Sequence, residues 1–156
     1  MDGSTLELTV LKAGTDPAPL VDIGQHLFSC SLLPHEGTLY EADVIREAYC
    51  FNQPLEAIPV AAGNGPLADS FCLATCDCNN IILETAKKAE ADDGMILRLY
   101  DSFNMRSNAT VTVAEGFSKV YLCDLMENVL QKLPFDGRNV TVPVKNFEIV
   151  TLKFER

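Results

Sequence analysis

The sequence predicts an all-β fold, an antiparallel β-sandwich with one short helix in a connection. Short segments rich in β-branched and aromatic residues recur along the chain at near-regular spacing, which is typical of sandwiches. Asp-Gly and Glu-Gly pairs separate several of these segments, and they favour hairpins and tight loops over the long helical crossovers of a βαβ fold. Because the chain has 156 residues, we expect residues 1–156 to form a single domain.

Nine segments are predicted to be strands. The first, residues 5–11, alternates polar and apolar side chains with the period of two that marks a half-buried strand. Pro17 and Pro19 cannot donate backbone hydrogen bonds, so this strand must end before them. The other predicted strands cover residues 25–33, 71–75, 81–86, 95–100, 109–113, 119–123, 140–144 and 147–154.

One helix is predicted after residue 37. Thr38 and Glu41 have the spacing of a capping box, in which each side chain accepts a hydrogen bond from the other residue's free N–H group. The helix should end near Asn52, before Pro54. Its apolar residues recur at helical spacing and therefore share one face, formed by Tyr40, Val44, Ile45, Ala48 and Tyr49.

The charge of the chain argues against two classes of partner. Twelve Lys and Arg residues oppose 22 Asp and Glu residues, which gives a net charge of −10 at pH 7. Binding to a phosphate backbone or to an anionic membrane surface needs basic residues. Residues 1–5 lack the basic and apolar regions of a signal peptide, and no apolar run approaches the roughly 18 residues of a membrane span. We expect a cytoplasmic protein with no nucleic-acid partner and no membrane contact.

Three cysteines, Cys72, Cys76 and Cys78, form the most prominent candidate metal motif. Zinc sites usually combine two pairs of ligands, and only the isolated Cys123, His26 and His35 are available as a second half. Positions 72, 76 and 78 have the same strand parity, so all three can line one face of a sheet as small apolar residues. We therefore predict that the cysteines are reduced core residues and that this chain holds no metal.

Catalytic residues are not identifiable from the sequence. The two histidines are not accompanied by a G-x-S-x-G elbow or a comparable nucleophile motif. Glycoside hydrolysis requires a pair of carboxylates, and Glu90, Asp92 and Asp93 are the densest acidic group. They precede Gly94 in a predicted hairpin turn, where Asp side chains serve local hydrogen bonding. No catalytic pair is assigned.

Eight segments of the chain are informative when they are read together and in order, namely residues 26–28, 33–37, 41–42, 47–55, 83–90, 93–100, 124–128 and 147–152. They resemble the β-rich region that follows the catalytic region in glycoside hydrolase family 38 α-mannosidases, where the corresponding segments have the same order. The likeness extends over nearly the whole chain, from about residue 6 to 154, and is strongest to the cytosolic type of the family.

The resemblance implies a function that composition does not reveal. Enzymes of this family are retaining, metal-dependent hydrolases that release terminal α-mannosides from oligosaccharides, free oligosaccharides in the cytosolic type. They use two aspartates with zinc, or with cobalt in cytosolic forms. None of those residues maps onto this sequence, so the chain resembles the non-catalytic C-terminal β-sandwich of a larger enzyme. Alone it is expected to be inactive and to need no cofactor.

Two roles are open for such a domain. It either supports its own upstream catalytic region as a scaffold, or it also completes the cleft that binds the α-mannoside oligosaccharide. The loop around His35, with Tyr40 and Arg46 nearby, is the first candidate for such contacts with substrate. An alternative from a different class is a free-standing β-sandwich adaptor that binds another protein.

Overall fold

The computed structural model describes residues 5–14, 16–17, 20, 22–61, 63, 65 and 69–156. The chain divides into two compact units, unit 1 from Met1 to Pro54 and unit 2 from Leu55 to Arg156. Unit 2 contains every strand found among the described residues, and unit 1 contains the α-helix. Each unit is described by itself below.

Unit 1 contains helix α1, Val44–Asn52, and otherwise irregular backbone among its described residues. The predicted strands at residues 5–11 and 25–33 are therefore wrong, because the structure assigns neither segment to a strand. Every residue of both segments is exposed, so their alternating side chains do not pack on a sheet. A strand needs a paired neighbour and a buried face, and alternation along the sequence supplies neither.

The predicted capping box is present, but the helix begins later than expected. The backbone N–H of Thr38 donates to Glu41 Oε2 at 2.8 Å, and the N–H of Glu41 donates to Thr38 Oγ1 at 3.3 Å. These bonds close an isolated turn. Asp43 then adopts a left-handed conformation with φ of 53°, which interrupts the helical backbone, so that α1 begins at Val44.

The described residues of unit 2 form eight antiparallel strands in two sheets, which confirms the predicted all-β fold. The three-stranded sheet has the order β1-β4-β7, and the five-stranded sheet has the order β2-β3-β8-β5-β6. The strands are β1 Ala74–Cys76, β2 Ile81–Lys88, β3 Met95–Asp101, β4 Ser107–Val113, β5 Lys119–Cys123, β6 Val129–Leu133, β7 Asn139–Val144 and β8 Ile149–Glu155.

Alternate residues of both sheets form one hydrophobic core. The three-stranded sheet contributes mainly valines, and the five-stranded sheet contributes leucine, valine and isoleucine side chains together with Phe154, the largest fully buried side chain. The half-buried Phe117 and Phe135 pack against the ring of Phe154 with centroid distances of 5.6 and 5.8 Å. Complete burial of a side chain as large as that of Phe154 stabilises the fold by roughly 1.5–3 kcal/mol.

Seven of the predicted strands correspond to observed ones, although the third begins only at Ala74. Strand β6, Val129–Leu133, was not predicted. Its first four residues are all exposed, so it lacks the alternating burial by which the other strands are recognised. Among the residues that the structure describes, no helix is long and apolar enough to span a membrane.

Candidate functional site

The three residues predicted to contact substrate lie in unit 1. His35 is exposed in the segment before the helix, and its Nδ1 lies 3.3 Å from the carbonyl oxygen of Glu36. Tyr40 follows in the turn closed by the capping box, and Arg46 lies in the first turn of α1 with its Nε 3.4 Å from Asp43 Oδ1. These short-range contacts hold the side chains locally, and the role in sugar binding stays a prediction.

Helix α1 borders an open groove of unit 1. The groove encloses about 450 Å³, and its wall combines the helix with part of the extended segment before it, including Ser31 and Leu33. A second depression, of about 390 Å³, lies along a neighbouring face of the helix and is lined by Ile45 and Tyr49. Val44 and Ala48 line both depressions, so the apolar face predicted for the helix is open.

The apolar side chains of unit 1 are exposed to an unusual extent. None of its described residues is fully buried, and Leu27 keeps 94% of its surface accessible. Folded monomers seldom leave so many large apolar side chains in contact with water. The exposed set consists of Leu6, Leu8, Val10, Leu11, Leu20, Ile23, Leu27, Phe28, Leu32, Leu33, Leu39, Tyr40 and Phe51.

The acidic group at the β2–β3 hairpin consists of structural carboxylates. Asp92 accepts the backbone N–H of Gly94 at 2.8 Å and pairs with Lys153. The hydrogen bond from Lys153 is the main reason that the pKa of Asp92 lies below its usual range. A general acid needs a raised pKa, so Asp92 has the wrong protonation state for that role. Glu90 and Asp93 pair with neighbouring lysines at 2.5 and 2.7 Å.

The cysteine motif divides between the core and the surface. Cys76 and Cys78 pack against the hydrophobic core, as predicted. Cys72 is exposed, and its thiol donates a hydrogen bond to the carbonyl of Ala74. Because β1 begins only at Ala74, Cys72 lies outside the strand and the strand does not direct its side chain toward the core. Burial, followed by the hydrogen bond and charge of Asp77, raises the pKa of Cys78 to about 11. This thiol is therefore protonated at neutral pH.

A buried carboxylate that was not singled out from the sequence lies at one end of the sandwich. Asp101 is fully buried and accepts hydrogen bonds from Asn80 Nδ2 at 2.7 Å and from the backbone N–H groups of Phe103, Met105 and Phe147 at 3.2, 2.9 and 2.9 Å. Burial alone raises the pKa of Asp101, but these four donors together outweigh it and lower that pKa. The carboxylate fastens the loop after β3 to the turn before β8.

Residues 80–152 match the family described as the glycosyl hydrolases family 38 C-terminal β-sandwich domain. Alpha-mannosidase 2C1 of Homo sapiens is 34% identical over 128 residues, which covers 80% of this chain and 12% of that protein. Alpha-mannosidase G of Dictyostelium discoideum is 29% identical over 157 residues, covering 97% of this chain and 14% of that protein.

A bacterial protein matches over a similar region. The putative mannosylglycerate hydrolase of Halalkalibacterium halodurans is 31% identical over 134 residues, or 85% of this chain and 14% of that protein. The chain therefore spans only between 12% and 14% of the length of these relatives.

Proposed function

Since the chain belongs to glycosyl hydrolase family 38 as its C-terminal β-sandwich domain, we propose that it is the non-catalytic C-terminal part of a cytoplasmic α-mannosidase. In this proposal residues 1–156 support an upstream catalytic region of the same polypeptide. That region would carry out retaining, metal-dependent hydrolysis of terminal α-mannosides from free oligosaccharides. The names of the relatives support the substrate class, and their much greater length supports the existence of an upstream region.

The observation that carries the scaffold role is the exposed apolar surface of unit 1. Its irregular segments, residues 5–14 and 22–37, belong to no strand and remain exposed in this chain. Removing such side chains from water stabilises an interface by roughly 25 cal/mol per Å² of apolar area. We infer that these segments are covered by the upstream region in the complete enzyme.

Amide hydrogen exchange tests this inference. Backbone amides of residues 25–33 should exchange quickly in the 156-residue chain and at least about tenfold more slowly in the complete polypeptide, because packing suppresses local opening. Amides of the central strand β8 serve as the control and should be protected in both forms. Equal exchange of residues 25–33 in the two forms would refute the scaffold role of unit 1.

We further propose that His35, with Tyr40 and Arg46, completes the sugar cleft of the complete enzyme. The exposure of His35 supports this role, although none of the three side chains lines the groove beside α1. In the complete enzyme, His35→Ala should raise KM for an α-mannoside several-fold without changing the unfolding temperature, since one hydrogen bond contributes roughly 0.5–1.5 kcal/mol. His26 is a matched control because its ring is also exposed and stacks on Phe28. An unchanged KM in His35→Ala would rule out this contact.

The metal of the proposed enzyme would be held upstream. Among the residues that the structure describes, no group of three or more His, Cys, Asp and Glu side chains is arranged to bind a metal ion. These residues therefore do not fit a zinc or cobalt site, and we assign no step of the reaction to them.

A further inference from the structure

Phe147 combines an unfavourable backbone conformation with an exposed ring. Its φ of 52° lies in the left-handed region, which glycine and asparagine tolerate and bulky residues avoid. Its side chain nevertheless leaves 61% of its surface in contact with water. A strained residue persists only where the surrounding structure imposes the conformation, and such sites concentrate where a protein binds or reacts.

The surroundings of Phe147 hold its backbone from several sides. The buried Asp101 accepts the N–H of Phe147 at 2.9 Å. The turn from Lys145 to Glu148 is closed by the N–H of Lys145, which donates to the Glu148 carboxylate at 2.7 Å, and by the N–H of Glu148, which donates to the carbonyl of Lys145 at 3.1 Å. The turn is therefore rigid before any partner binds.

The loop after β3 is fixed to the same turn and exposes a second apolar side chain. Met105 donates its N–H to the same oxygen of Asp101 that binds Phe147, so the two backbones lie side by side. Asn146 Nδ2 also donates to the carbonyl of Asn104 at 2.5 Å. Met105 is 52% exposed, and Ile149, just after the turn, is exposed as well. We call Met105, Phe147 and Ile149 the apolar tip.

We infer that the apolar tip is the contact by which the sandwich binds the upstream catalytic region of its own polypeptide. The inference rests on the proposed function. The length of the relatives argues for this occupant, since most of their polypeptide lies outside the part that this chain matches. An aromatic side chain on a rigid turn also loses little conformational entropy when it binds, and such anchors dominate the affinity of interfaces.

Because the backbone of Phe147 is strained, one substitution should have opposite effects on two quantities: it should increase the stability of the isolated chain and decrease the affinity of the proposed contact. Phe147→Asn removes the apolar ring and introduces a residue that accepts a φ of 52°. In the isolated 156-residue chain this substitution should raise the unfolding midpoint. In the complete enzyme, a specific protease site is placed before Met1, the chain is cut there, and the affinity of the two pieces is measured after gel filtration. Phe147→Asn should weaken that affinity about tenfold or more, as expected of a hot-spot residue.

Phe71→Asn provides the matched control. Phe71 is 71% exposed, and the pairing of β1 with β4 places it toward the opposite end of the three-stranded sheet from Ser107 and Val144. This variant should leave the affinity of the two pieces unchanged.

Three outcomes would overturn the inference, and they are distinguishable. If the wild-type pieces stay together and Phe147→Asn does not lower their affinity, the apolar tip is not the contact, while the proposed function stands. If the wild-type pieces separate at once, the scaffold role itself fails. If the isolated chain forms dimers that Phe147→Asn dissolves, the tip binds a second copy instead.

Discussion

At the scale of single residues, Asp101 joins the loop after β3 to the turn before β8. Its carboxylate is fully buried and satisfies four donors from three separate stretches of the chain. A buried donor without an acceptor costs about 1–3 kcal/mol. This role could not be predicted from the sequence, because an aspartate at the end of an apolar strand is also typical of an ordinary turn.

Asp101→Asn should therefore destabilise the 156-residue chain by about 2–4 kcal/mol, because a neutral amide is a weaker acceptor and brings two donors of its own. Chemical denaturation with urea measures this change directly. Asp93→Asn is the control, since the side chain of Asp93 is 97% exposed and should contribute little. A similar loss in both variants would show that Asp101 has no special role.

Acid should unfold the sandwich through carboxylates whose pKa is lowered in the folded state. A hydrogen bond from the backbone of Thr110 lowers the pKa of Asp77, and one from the side chain of Asn139 lowers the pKa of Asp136. Groups with a lowered folded pKa stabilise the fold above their unfolded pKa of about 4 and lose that contribution as the pH falls further. The contribution of these carboxylates to the free energy of unfolding should thus be constant between pH 8 and pH 5. It should decrease once the pH is lower than about 4.

The six cysteines should differ in their reactivity. Burial raises the pKa of the Cys78 and Cys123 thiols, whereas Cys30, Cys50 and Cys72 are exposed. Only the thiolate is alkylated, so iodoacetamide at pH 8 should modify the three exposed cysteines first. Peptide mass spectrometry resolves the order, and early modification of Cys78 would contradict its burial.

At the scale of elements, the turn between β5 and β6 is held by Glu127. This residue has a φ of 68° and points its carboxylate at Lys87 and Arg98, at 2.8 and 3.6 Å. It also accepts the backbone N–H of Glu90 at 2.8 Å. The turn is thereby fastened to β2 and β3, strands that are not adjacent to β6 in the sheet.

Glu127→Gln should loosen this turn and the edge strand that follows it. The neutral amide cannot form the ion pairs, so amides of residues 124–133 should exchange faster while those of β8 remain protected. Glu115→Gln removes the carboxylate of an exposed pair with Arg138 and is the matched control. If the exchange of residues 124–133 is unchanged, the turn is held by Asp124 rather than by Glu127.

Prediction from sequence succeeded for segments that have strand-like residues and also pair with another strand in the structure. Strand β5, Lys119–Cys123, was predicted with its observed bounds, and two of its apolar residues, Val120 and Cys123, are buried. Residues 5–11 alternate between polar and apolar side chains and nevertheless form no strand, since pairing depends on residues far away in sequence. Strand β6 was missed for the opposite reason: it pairs with a neighbour, but it lies at the edge of the sheet and most of its side chains are exposed.

At the scale of the whole molecule, the two units differ in how they are stabilised. Unit 2 has a closed hydrophobic core between its sheets, while no described residue of unit 1 is fully buried. The sequence could predict the sandwich, and the family resemblance is confirmed by the match at residues 80–152. Neither composition nor periodicity could distinguish apolar residues that fill a core from those that stay exposed in this chain.

The mass of the native polypeptide decides whether this chain is part of a larger α-mannosidase. An antibody raised against unit 2 should recover from cells a protein several times heavier than the 17.1 kDa of this chain, and the recovered protein should hydrolyse a nitrophenyl α-mannoside. Recovery of a 17.1 kDa protein without this activity would show that the chain is not part of an α-mannosidase and would favour the free-standing adaptor.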